Sequence, residues 1–339
     1  MDTKNPTKFC GKPLFCSDAI DLYQEWETPT VIISDGPYGV NGFPGDLVSP
    51  NGLAEWYEPH IKSWSEFATS LTTLWFWNTE VGWATVHPML EKYGWSYVSC
   101  CVWDKGMSHV AGNTNTKTIR HLPVVTEVCA QYVKKPSFIV DGEKMEMKKW
   151  LRYEWGRTGI PFSKTNEACG VKDAATRKYF TKSHLWYMPP AEMFEKISDY
   201  ANSHGKEDGK PYFSIDGEKP ITREEWANLR AKFYCPFGVT NVWHLPQLRN
   251  SERVKINQKA VHLNQKPLQL IEQIIEMTSD KTDVIWDPFA GLFTTAIASF
   301  KLERRCYSAE INEIIFDIGV ARVTETLQNN KLLNVFPKS

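Results

Sequence analysis

The feature that most constrains this chain is a pair of short acidic turns, each directly after an apolar run. The first turn reads Asp-Gly-Pro-Tyr at residues 35–38 and follows Val-Ile-Ile at 31–33. The second reads Asp-Pro-Phe-Ala-Gly at 287–291 and follows Val-Ile-Trp at 284–286. In open α/β sheets, ligands and chemistry lie at the carboxyl ends of buried parallel strands. Two such strand ends predict one site for a base and another for a cofactor.

The spacing of apolar residues predicts α/β architecture on both sides of a different central region. Strand-like and helix-like runs alternate from residue 9 to 133, with a helical spacing at 20–26. Alternation resumes with a helix at 267–277, a strand at 284–286, a helix at 294–300, a strand at 305–308 and a helix at 311–327. Residues 134–239 between them are polar, rich in turn formers and irregular in period. We therefore expect two α/β runs separated by an inserted region.

Length and composition exclude several classes of protein. A chain of 339 residues can form one large α/β domain with an insertion, or two domains. No apolar stretch approaches the roughly 18 residues of a membrane helix, and the first eight residues are too polar for a secretory signal. The eight cysteines are scattered, which fits reduced thiols better than a disulfide framework. We expect a cytoplasmic protein with no membrane partner and no metal site.

The charge is distributed unevenly along the chain. Its net value is only −1, yet residues 134–255 hold 22 Lys and Arg against 16 Asp and Glu, an excess of six positive charges. A moderately basic middle between acidic flanks could present a positive face to phosphates. Solvated surface charges explain the same numbers equally well, so charge alone leaves both interpretations open.

The second turn and the residues after it have features of a nucleoside-cofactor site. Gly291 lets the backbone approach a ligand closely, and the next helix begins at Thr294. Glu310 ends the following strand, about 20 residues on, where a carboxylate can accept both hydroxyls of a ribose. There is no G-x-G-x-x-G and no phosphate-binding loop, so a nucleoside cofactor without a pyrophosphate fits better than NAD. An ordinary strand–helix–strand unit with solvated acids is the alternative.

The first turn has features that suit an exocyclic amino group of a nucleobase. Such a nitrogen is a poor nucleophile because its lone pair is delocalised into the ring. The Asp35 carboxylate and the Gly36 carbonyl could accept its two hydrogens and stabilise the charge that develops when nitrogen attacks a methyl group. The aromatic ring of Tyr38 could stack on a base that has left the duplex. A simple surface turn is the alternative for this tetrapeptide.

The order of the motifs resembles the β group of DNA amino-methyltransferases, which use S-adenosylmethionine and carry the catalytic half first. The family's catalytic motif is Asp/Asn/Ser-Pro-Pro-aromatic, and residues 35–38 match three of its four positions. Its cofactor motif Asp-Pro-Phe-Ala-Gly-x-Gly-Thr-Thr matches 287–295, with Phe293 in place of the last glycine. Its upstream His-Pro-x-Gln-Lys-Pro resembles His-Leu-Asn-Gln-Lys-Pro at 262–267. The resemblance covers roughly residues 9–133 and 239–325.

The resemblance implies a Rossmann-like class I methyltransferase fold, an α/β fold with a mainly parallel twisted sheet and an inserted target-recognition region. The expected segments are a catalytic half at 1–133, a target-recognition region at 134–239 and a cofactor-binding half at 240–339. The implied reaction moves a methyl group from S-adenosylmethionine to the exocyclic amino group of a flipped base in duplex DNA. Asp35 favours adenine over the cytosine 4-amino group, which stays an alternative. An RNA amino-methyltransferase and a non-catalytic DNA-binding protein that retains the fold are further alternatives.

The resemblance also assigns roles to individual residues. The catalytic set that it implies is Asp35, Gly36, Pro37 and Tyr38. The cofactor-binding set that it implies is Asp18, His262, Gln265, Lys266, Asp287, Phe289, Gly291, Thr294 and Glu310. In this assignment Asp18 meets the adenine ring, Glu310 the ribose, and Asp287 and Gly291 the methionine end, while Gln265 and Lys266 help close the pocket. Duplex DNA and a cognate restriction endonuclease of a restriction–modification system are the implied partners.

Two departures from the family pattern affect these expectations. Gly36 replaces a proline, which keeps the backbone carbonyl but frees the backbone, so the amino acceptor is expected to be less rigid. Phe293 replaces a glycine in the cofactor turn, where a bulky ring could pack over the methionine portion or obstruct it. We expect altered packing, because the other elements of the cofactor half are present.

Overall fold

The computed structural model describes residues 13–41, 46–107, 110, 117–207, 209–248, 254–256, 259–260 and 265–329. The chain divides into two compact units. The first unit consists of Met1–Lys134 together with Ala231–Ser339, and the second consists of Lys135–Arg230. Among the described residues, none of the helices is both long enough and apolar enough to cross a bilayer.

The helices and strands follow in chain order. The strands are β1 (Leu14–Cys16), β2 (Val31–Ser34), β3 (Thr73–Asn78), β4 (Trp95–Asp104), β5 (Thr126–Lys134), β6 (Ser137–Val140), β7 (Glu143–Glu146), β8 (Val242–His244), β9 (Lys255–Ile256), β10 (Lys259–Ala260), β11 (Val284–Asp287) and β12 (Arg305–Glu310). The α-helices are α1 (Leu53–Phe67), α2 (Glu80–Lys92), α3 (Met147–Arg157), α4 (Thr165–Ala168), α5 (Ala174–Tyr179), α6 (Ala191–His204), α7 (Arg223–Ala227), α8 (Leu268–Thr278), α9 (Thr294–Lys301) and α10 (Glu313–Asn329).

The first unit is built on an eight-stranded sheet with the order β1-β12-β11-β2-β3-β5-β4-β8. The pairs from β1 to β3 are all parallel, and β4 and β8 are also parallel. Only β5 runs against its neighbours β3 and β4. The expected Rossmann-like α/β fold with a mainly parallel sheet is confirmed.

Both faces of this sheet are covered, which explains the continuous apolar runs of its central strands. In β2, Val31 and Ile33 enter one core with α8, α9 and α10, while Ile32 enters a second core with α1 and α2. Trp75 and Trp77 of β3 contribute to the first core in the same alternating way. A parallel strand buried on both faces needs an apolar residue at every position. The apolar, β-branched run from which β2 was predicted therefore follows from the position of this strand in the middle of the sheet.

The segment between β1 and β2 differs from the helix expected at residues 20–26. The structure has a short 3₁₀ helix, Ala19–Asp21, followed by turns whose bonds span three residues, such as the Glu25 N–H donating to the Leu22 carbonyl. The side chain of Asp18 caps this turn by accepting a hydrogen bond from the Ile20 N–H. The apolar face predicted by the spacing is buried, but the backbone is wound more tightly than an α-helix.

The second unit has much more regular structure than its sequence predicts. The hairpin of β6 and β7 and the helices α3 to α7 surround a core of large aromatic side chains. The rings of Phe194 and Trp226 stack at a centroid distance of 3.9 Å, and those of Phe138 and Trp150 stack at 4.0 Å. The two longer helices, α3 and α6, bury residues at helical spacing, so the irregular period expected here is wrong for them. The other three helices are short and are separated by Gly, Pro and polar turns.

The border between the units lies at Arg230, before the expected border at 239. Residues after Arg230 bond to the first unit. The Lys232 ammonium pairs with the Asp283 carboxylate at 2.7 Å, and the Tyr234 N–H donates to the Met277 carbonyl. These contacts hold the connecting segment against α8 and the start of β11.

Candidate active site

Four acidic side chains lie where parallel strands of the first unit end. Asp35 follows β2, Asp287 is the last residue of β11, and Glu310 is the last residue of β12. Asp18 follows β1, whose Cys16 pairs with Glu310. Because β1, β12, β11 and β2 are consecutive and parallel in the sheet, all four acids lie at one edge. The charges of Asp35 and Glu310 both act on Asp287. The structure thus brings together acids that are far apart in the sequence.

At the end of β2, Asp35 is held by a buried lysine and a tyrosine. The Lys266 ammonium lies 2.7 Å from Oδ1 and 2.8 Å from Oδ2 of Asp35. The Tyr38 hydroxyl donates to Oδ1 at 2.9 Å. Only 3% of the Lys266 side chain is exposed, against 22% of the Asp35 side chain. The carboxylate therefore remains open to solvent on one side while a buried cation holds it from the other.

A second carboxylate, Glu127, completes this charge cluster. The Tyr38 hydroxyl lies 3.0 Å from Glu127, so its single proton can go either to Glu127 or to Asp35. Glu127 also pairs with Lys105 at 2.8 Å and with Lys266 at 3.4 Å. Burial alone would raise the pKa of Glu127, but the two ammonium groups outweigh it and lower the pKa to about 2. The pKa of Lys266 is raised, because its two carboxylate partners outweigh its own burial. Two acids and two lysines thus balance one another around one tyrosine.

Sheet topology explains why these charges meet. β5 is antiparallel to β3 and β4, so its beginning, at Glu127, lies at the edge where β4 ends. Glu127 pairs in register with Trp103, two residues before Lys105. The segments Trp103-Asp104-Lys105 and Thr126-Glu127 resemble the strands that follow the catalytic motif in the family. The sequence did not predict that Lys105 and Glu127 meet, because they are 22 positions apart and lie at the ends of different strands.

The turn at residues 35–38 is fixed by close packing. A Cβ on Gly36 would lie 2.6 Å from the Tyr57 hydroxyl and 2.8 Å from the Phe289 ring, so only glycine fits there without displacement. The Pro37 carbonyl accepts hydrogen bonds at 3.0 Å from the Tyr57 hydroxyl and from Nδ2 of Asn78. Gly36 is therefore held tightly, although its sequence predicts a less rigid backbone.

Tyr38 faces the interior of the cluster. Its ring is 4% exposed, and burial together with the charges of Asp35 and Glu127 raises the pKa of its hydroxyl well above the usual value. The hydroxyl therefore stays neutral. The Asp46 carboxylate accepts hydrogen bonds from the N–H groups of Tyr38, at 3.0 Å, and Gly39, at 2.8 Å. Stacking of Tyr38 on a base stays a prediction.

At the ends of β11 and β12 the acids have different partners. Glu310 accepts backbone hydrogen bonds from Gly291 at 2.9 Å and from Asn312 at 2.8 Å. Burial raises the pKa of Glu310, and it raises the pKa of Asp287 to about 7 despite a hydrogen bond from Thr295. Among the described side chains, neither acid forms an ion pair. Within the described part of the chain, these two acids at this end of the site therefore have no positively charged partner.

An aromatic wall, formed by Trp56, Tyr57, His60 and Trp64 of α1, packs around Phe289 of the cofactor turn. Ring centroids of the four lie 4.9 to 6.3 Å from that of Phe289. Burial lowers the pKa of His60 to about 4, so its imidazole is neutral near pH 7. These residues belong to no motif recognised in the sequence, although their spacing places them on one face of a helix.

The arrangement agrees with a known group of sequences. A family model for DNA methylases, named for N6 and N4 methyltransferases, matches residues 30–321. The match covers most of the chain and includes both strand-end turns. The chain belongs to the DNA methylase family.

Several curated relatives align with parts of this methylase. The type II methyltransferase M.ScaI of Streptomyces caespitosus is 30% identical over 122 residues, which are 35% of this chain and 40% of that protein. The type II methyltransferase M1.MboII of Moraxella bovis is 40% identical over 30% of this chain and 41% of that protein. The DNA adenine methyltransferase YhdJ of Escherichia coli K12 is 34% identical over 24% of this chain and 27% of that protein. The alignments span about two fifths or less of these relatives.

Solved structures of similar proteins are also known. M1.HpyAVI in complex with S-adenosylmethionine is 16% identical, with a TM-score of 0.49 over 92% of this chain and 98% of that chain. The PvuII DNA methyltransferase, described as cytosine-N4-specific, is 11% identical, with a TM-score of 0.49 over 95% of this chain and 92% of that chain.

Phe293, the unusual residue in the cofactor turn of this methylase, points into the core. Its backbone has φ 58° and ψ 35°, a left-handed conformation that favours glycine. The ring is fully buried and lies edge-on to Phe316 of α10 at a centroid distance of 5.6 Å. A Cβ on Gly319 would lie 2.4 Å from the Phe293 ring, so the glycine of α10 makes room for it. The ring packs against α10, and its effect on the methionine portion of the cofactor stays a prediction.

The remaining residues predicted to bind the cofactor each contact different partners in the methylase. Gln265 accepts a hydrogen bond from the Val254 N–H at 3.4 Å, and the Thr294 hydroxyl accepts one from Arg322 at 3.0 Å. Arg322 also donates to the Leu292 carbonyl, and burial lowers its pKa to about 10. The ammonium of Lys266 contacts Asp35. His262 lies outside the described residues.

Proposed function

We propose that this methylase transfers a methyl group from S-adenosylmethionine to the exocyclic amino group of a flipped base in duplex DNA, with adenine preferred. One observation carries the proposal. A partly exposed carboxylate, Asp35, and the carbonyl of Gly36 follow β2, directly beside the strand whose turn carries Asp287, Phe289 and Gly291. A site for an amino group and a site for a cofactor are thus adjacent on one sheet edge.

The first turn supplies the chemistry that an amino group needs. Asp35 and the Gly36 carbonyl accept the two hydrogens of the nitrogen, which concentrates its electron density and orients it. The carboxylate then stabilises the positive charge that develops on nitrogen. The close packing of Gly36 against Tyr57 and Phe289 fixes the direction of the carbonyl before the base arrives. Positioning of this kind lowers the barrier because the acceptors need no reorganisation.

The charge of the second turn supports a cationic cofactor. Asp287 is buried and Glu310 is half-buried, and burial raises the pKa of both carboxyl groups. Among the described residues, neither forms an ion pair that would offset this effect. When bound, S-adenosylmethionine supplies an electrophilic methyl group on a positively charged sulfur. A positive ligand would favour the ionised forms of both acids. The residues present therefore fit the group.

Individual residues of the chain hold the parts of this cofactor in our proposal. Glu310 binds the ribose hydroxyls, Asp18 binds the adenine ring, and Asp287 and Gly291 border the methionine end. Gly291 N–H and Glu310 already lie within hydrogen-bond distance, which supports a single pocket between the two strand ends. The aromatic wall around Phe289 excludes water from one side of this pocket.

The preference for adenine rests on Asp35 as the first residue of the catalytic motif. YhdJ is described as a DNA adenine methyltransferase and PvuII methyltransferase as cytosine-N4-specific, so both bases occur among the similar proteins. We further propose that the second unit contacts DNA as a target-recognition region, with a restriction endonuclease as the cognate partner of the system.

Methyl incorporation from labelled S-adenosylmethionine into unmodified duplex DNA, followed by nucleoside chromatography, tests the proposal. We expect label in 6-methyladenine. Label in 4-methylcytosine would retain the reaction and overturn the base preference, and label in RNA alone would overturn the substrate. Absence of label on DNA of diverse sequence, together with no calorimetric binding of the cofactor, would show a non-catalytic protein.

A further inference from the structure

Lys266 has a position that the family resemblance does not explain. The resemblance assigns it to the cofactor pocket, yet its ammonium bonds to both oxygens of Asp35 and lies 3.0 Å from the Tyr38 hydroxyl. It also lies 5.3 Å from the centre of the Trp77 ring, a distance typical of cation–π contact. The side chain is 3% exposed. A buried cation held by this many partners has one well-defined position.

The hydrogen bonds on Asp35 are unequal. Within the described part of the chain, Oδ1 lies within hydrogen-bond distance of Lys266 and of the Tyr38 hydroxyl, whose single proton Glu127 can also accept, whereas Oδ2 accepts from Lys266 alone. A carboxylate oxygen has two lone pairs, so Oδ2 keeps one acceptor position, and Oδ1 is saturated when the Tyr38 proton points to it. The partly exposed carboxylate can thus receive one more donor without losing Lys266.

We propose that Lys266 is a positioning residue of the methyl-transfer site, which orients Asp35 so that Oδ2 receives the amino group of the target base. The inference rests on the function proposed above and deepens it. Glu127 is a second carboxylate partner of Lys266, at 3.4 Å, and is itself paired with Lys105 at 2.8 Å. Binding of the cofactor is left to the residues at the ends of β11 and β12.

The variant Lys266→Met separates this role from the cofactor role. We expect kcat to fall by about 100-fold, because an acceptor that is misplaced by roughly 1 Å loses about that factor. The dissociation constant of S-adenosylmethionine, measured by calorimetry, should change by less than about threefold, because that interaction is not lost. Lys105→Met, which removes an equal charge from the same cluster without touching Asp35, is the matched control. Its kcat should fall by less than about tenfold.

A double variant keeps the test decisive if Lys266→Met folds poorly. Lys266→Met combined with Glu127→Gln removes one charge of each sign and leaves Asp35 with no ammonium on its oxygens. We expect it to bind the cofactor and to have a kcat about 100-fold below that of the wild type, as expected for Lys266→Met. Recovery of kcat in the double variant would show that only charge balance mattered and would overturn the inference.

Other outcomes distinguish failure of the inference about Lys266 from failure of the proposed function. Loss of cofactor binding with the wild-type melting temperature in Lys266→Met would assign Lys266 to the cofactor pocket and overturn the positioning role. A wild-type protein that binds DNA and cofactor yet transfers no methyl group would overturn the proposed function itself, whatever the variants do. Unchanged kcat in Lys266→Met beside an active wild type would overturn the inference alone.

Discussion

At the end of β2, Asp35 is bound by the ammonium of Lys266, whereas at the end of the neighbouring β11, Asp287 receives a hydrogen bond from Thr295. The first end balances its acids with lysines from the chain. The second end has no ion pair to Asp287 or Glu310 among the described residues, and the pKa of Asp287 is raised to about 7. Among the described residues, the two adjacent and parallel strand ends thus differ in whether their acids have a positively charged partner.

The difference agrees with the charges of the two proposed ligands. The amino group of a base is neutral before the reaction, so its site can be electrically balanced in advance. S-adenosylmethionine carries a positive sulfur, so a site that lacks a cation gains from binding it. The comparison therefore predicts that variants at the β2 end change kcat, while variants at the β11 end change cofactor affinity and stability.

The largest expected effect is that of Asp35→Ala. Loss of the carboxylate should lower kcat by about 1,000-fold or more, because the charge that develops on nitrogen loses its acceptor. Calorimetry should give a cofactor dissociation constant within about threefold of the wild type. Asp21→Ala, at an exposed acid near the same sheet edge, is the control. An active Asp35→Ala variant would contradict the assignment of the β2 end to the reacting group.

The next largest expected effect is a loss of stability when the buried ring of Phe293 is removed. Phe293→Gly removes a buried ring, which costs about 3–5 kcal/mol, and relieves left-handed strain of about 1–2 kcal/mol. We expect the free energy of unfolding to fall by about 3 kcal/mol, measured in urea. Gly319→Ala should also destabilise, because its Cβ would meet the Phe293 ring at 2.4 Å.

The pair can be examined as a double-mutant cycle. In the Phe293→Gly background the clash at Gly319 is gone, so Gly319→Ala should cost less there than in the wild type. Additive effects of the two substitutions would show that the ring does not occupy the space beside Gly319.

Asp287→Asn tests the effect of the Asp287 carboxyl group, which has no positively charged partner among the described residues. An acid with a folded pKa of about 7, above its usual 3.8, takes up a proton on folding. Its contribution to stability is complete below pH 3.8 and is lost as the pH rises to 7, so cofactor-free wild type should lose stability over that interval. The asparagine variant should lack this dependence. Urea unfolding at several pH values measures the difference.

The same variant should weaken cofactor binding by about 10- to 100-fold at pH 8, because a charged partner is lost. In the wild type, affinity should rise with pH up to about 7, since a positive ligand favours the ionised acid. Asp283→Asn, at the opposite end of β11, is the control. A pH-independent affinity in the wild type would contradict the idea that the ligand supplies the positive charge.

Tyr38→Phe should have the smallest effect. The ring and the Lys266–Asp35 contact remain, so we expect kcat to fall by about tenfold through loss of one hydrogen bond to Asp35. Tyr93→Phe, which removes a hydroxyl bound to Glu58 on the surface, is the matched control. A fall as large as that of Asp35→Ala would mean that the hydroxyl, rather than Lys266, holds the carboxylate.

Much of the first unit could be predicted because its signals are local. The helix expected at 267–277 is α8, Leu268–Thr278, and the strand expected at 284–286 is β11, Val284–Asp287. The second unit was less predictable, although α6 buries Phe194, Ile197 and Ala201 at helical spacing, because short helices and polar turns interrupt the pattern elsewhere. Its core depends on aromatic pairs such as Phe194 and Trp226, which are distant in the sequence.

The sequence by itself determined which turns follow buried strands and which side chains, Asp35, Asp287 and Glu310, stand at their ends. Those features depend on a few neighbouring residues. Only the tertiary structure decided which charges these acids meet, because Lys266 is 231 positions from Asp35 and Glu127 reaches the site through the reversed strand β5. Strand order and direction are set by the packing of the whole sheet, and that packing placed the cation beside one acid and away from the other.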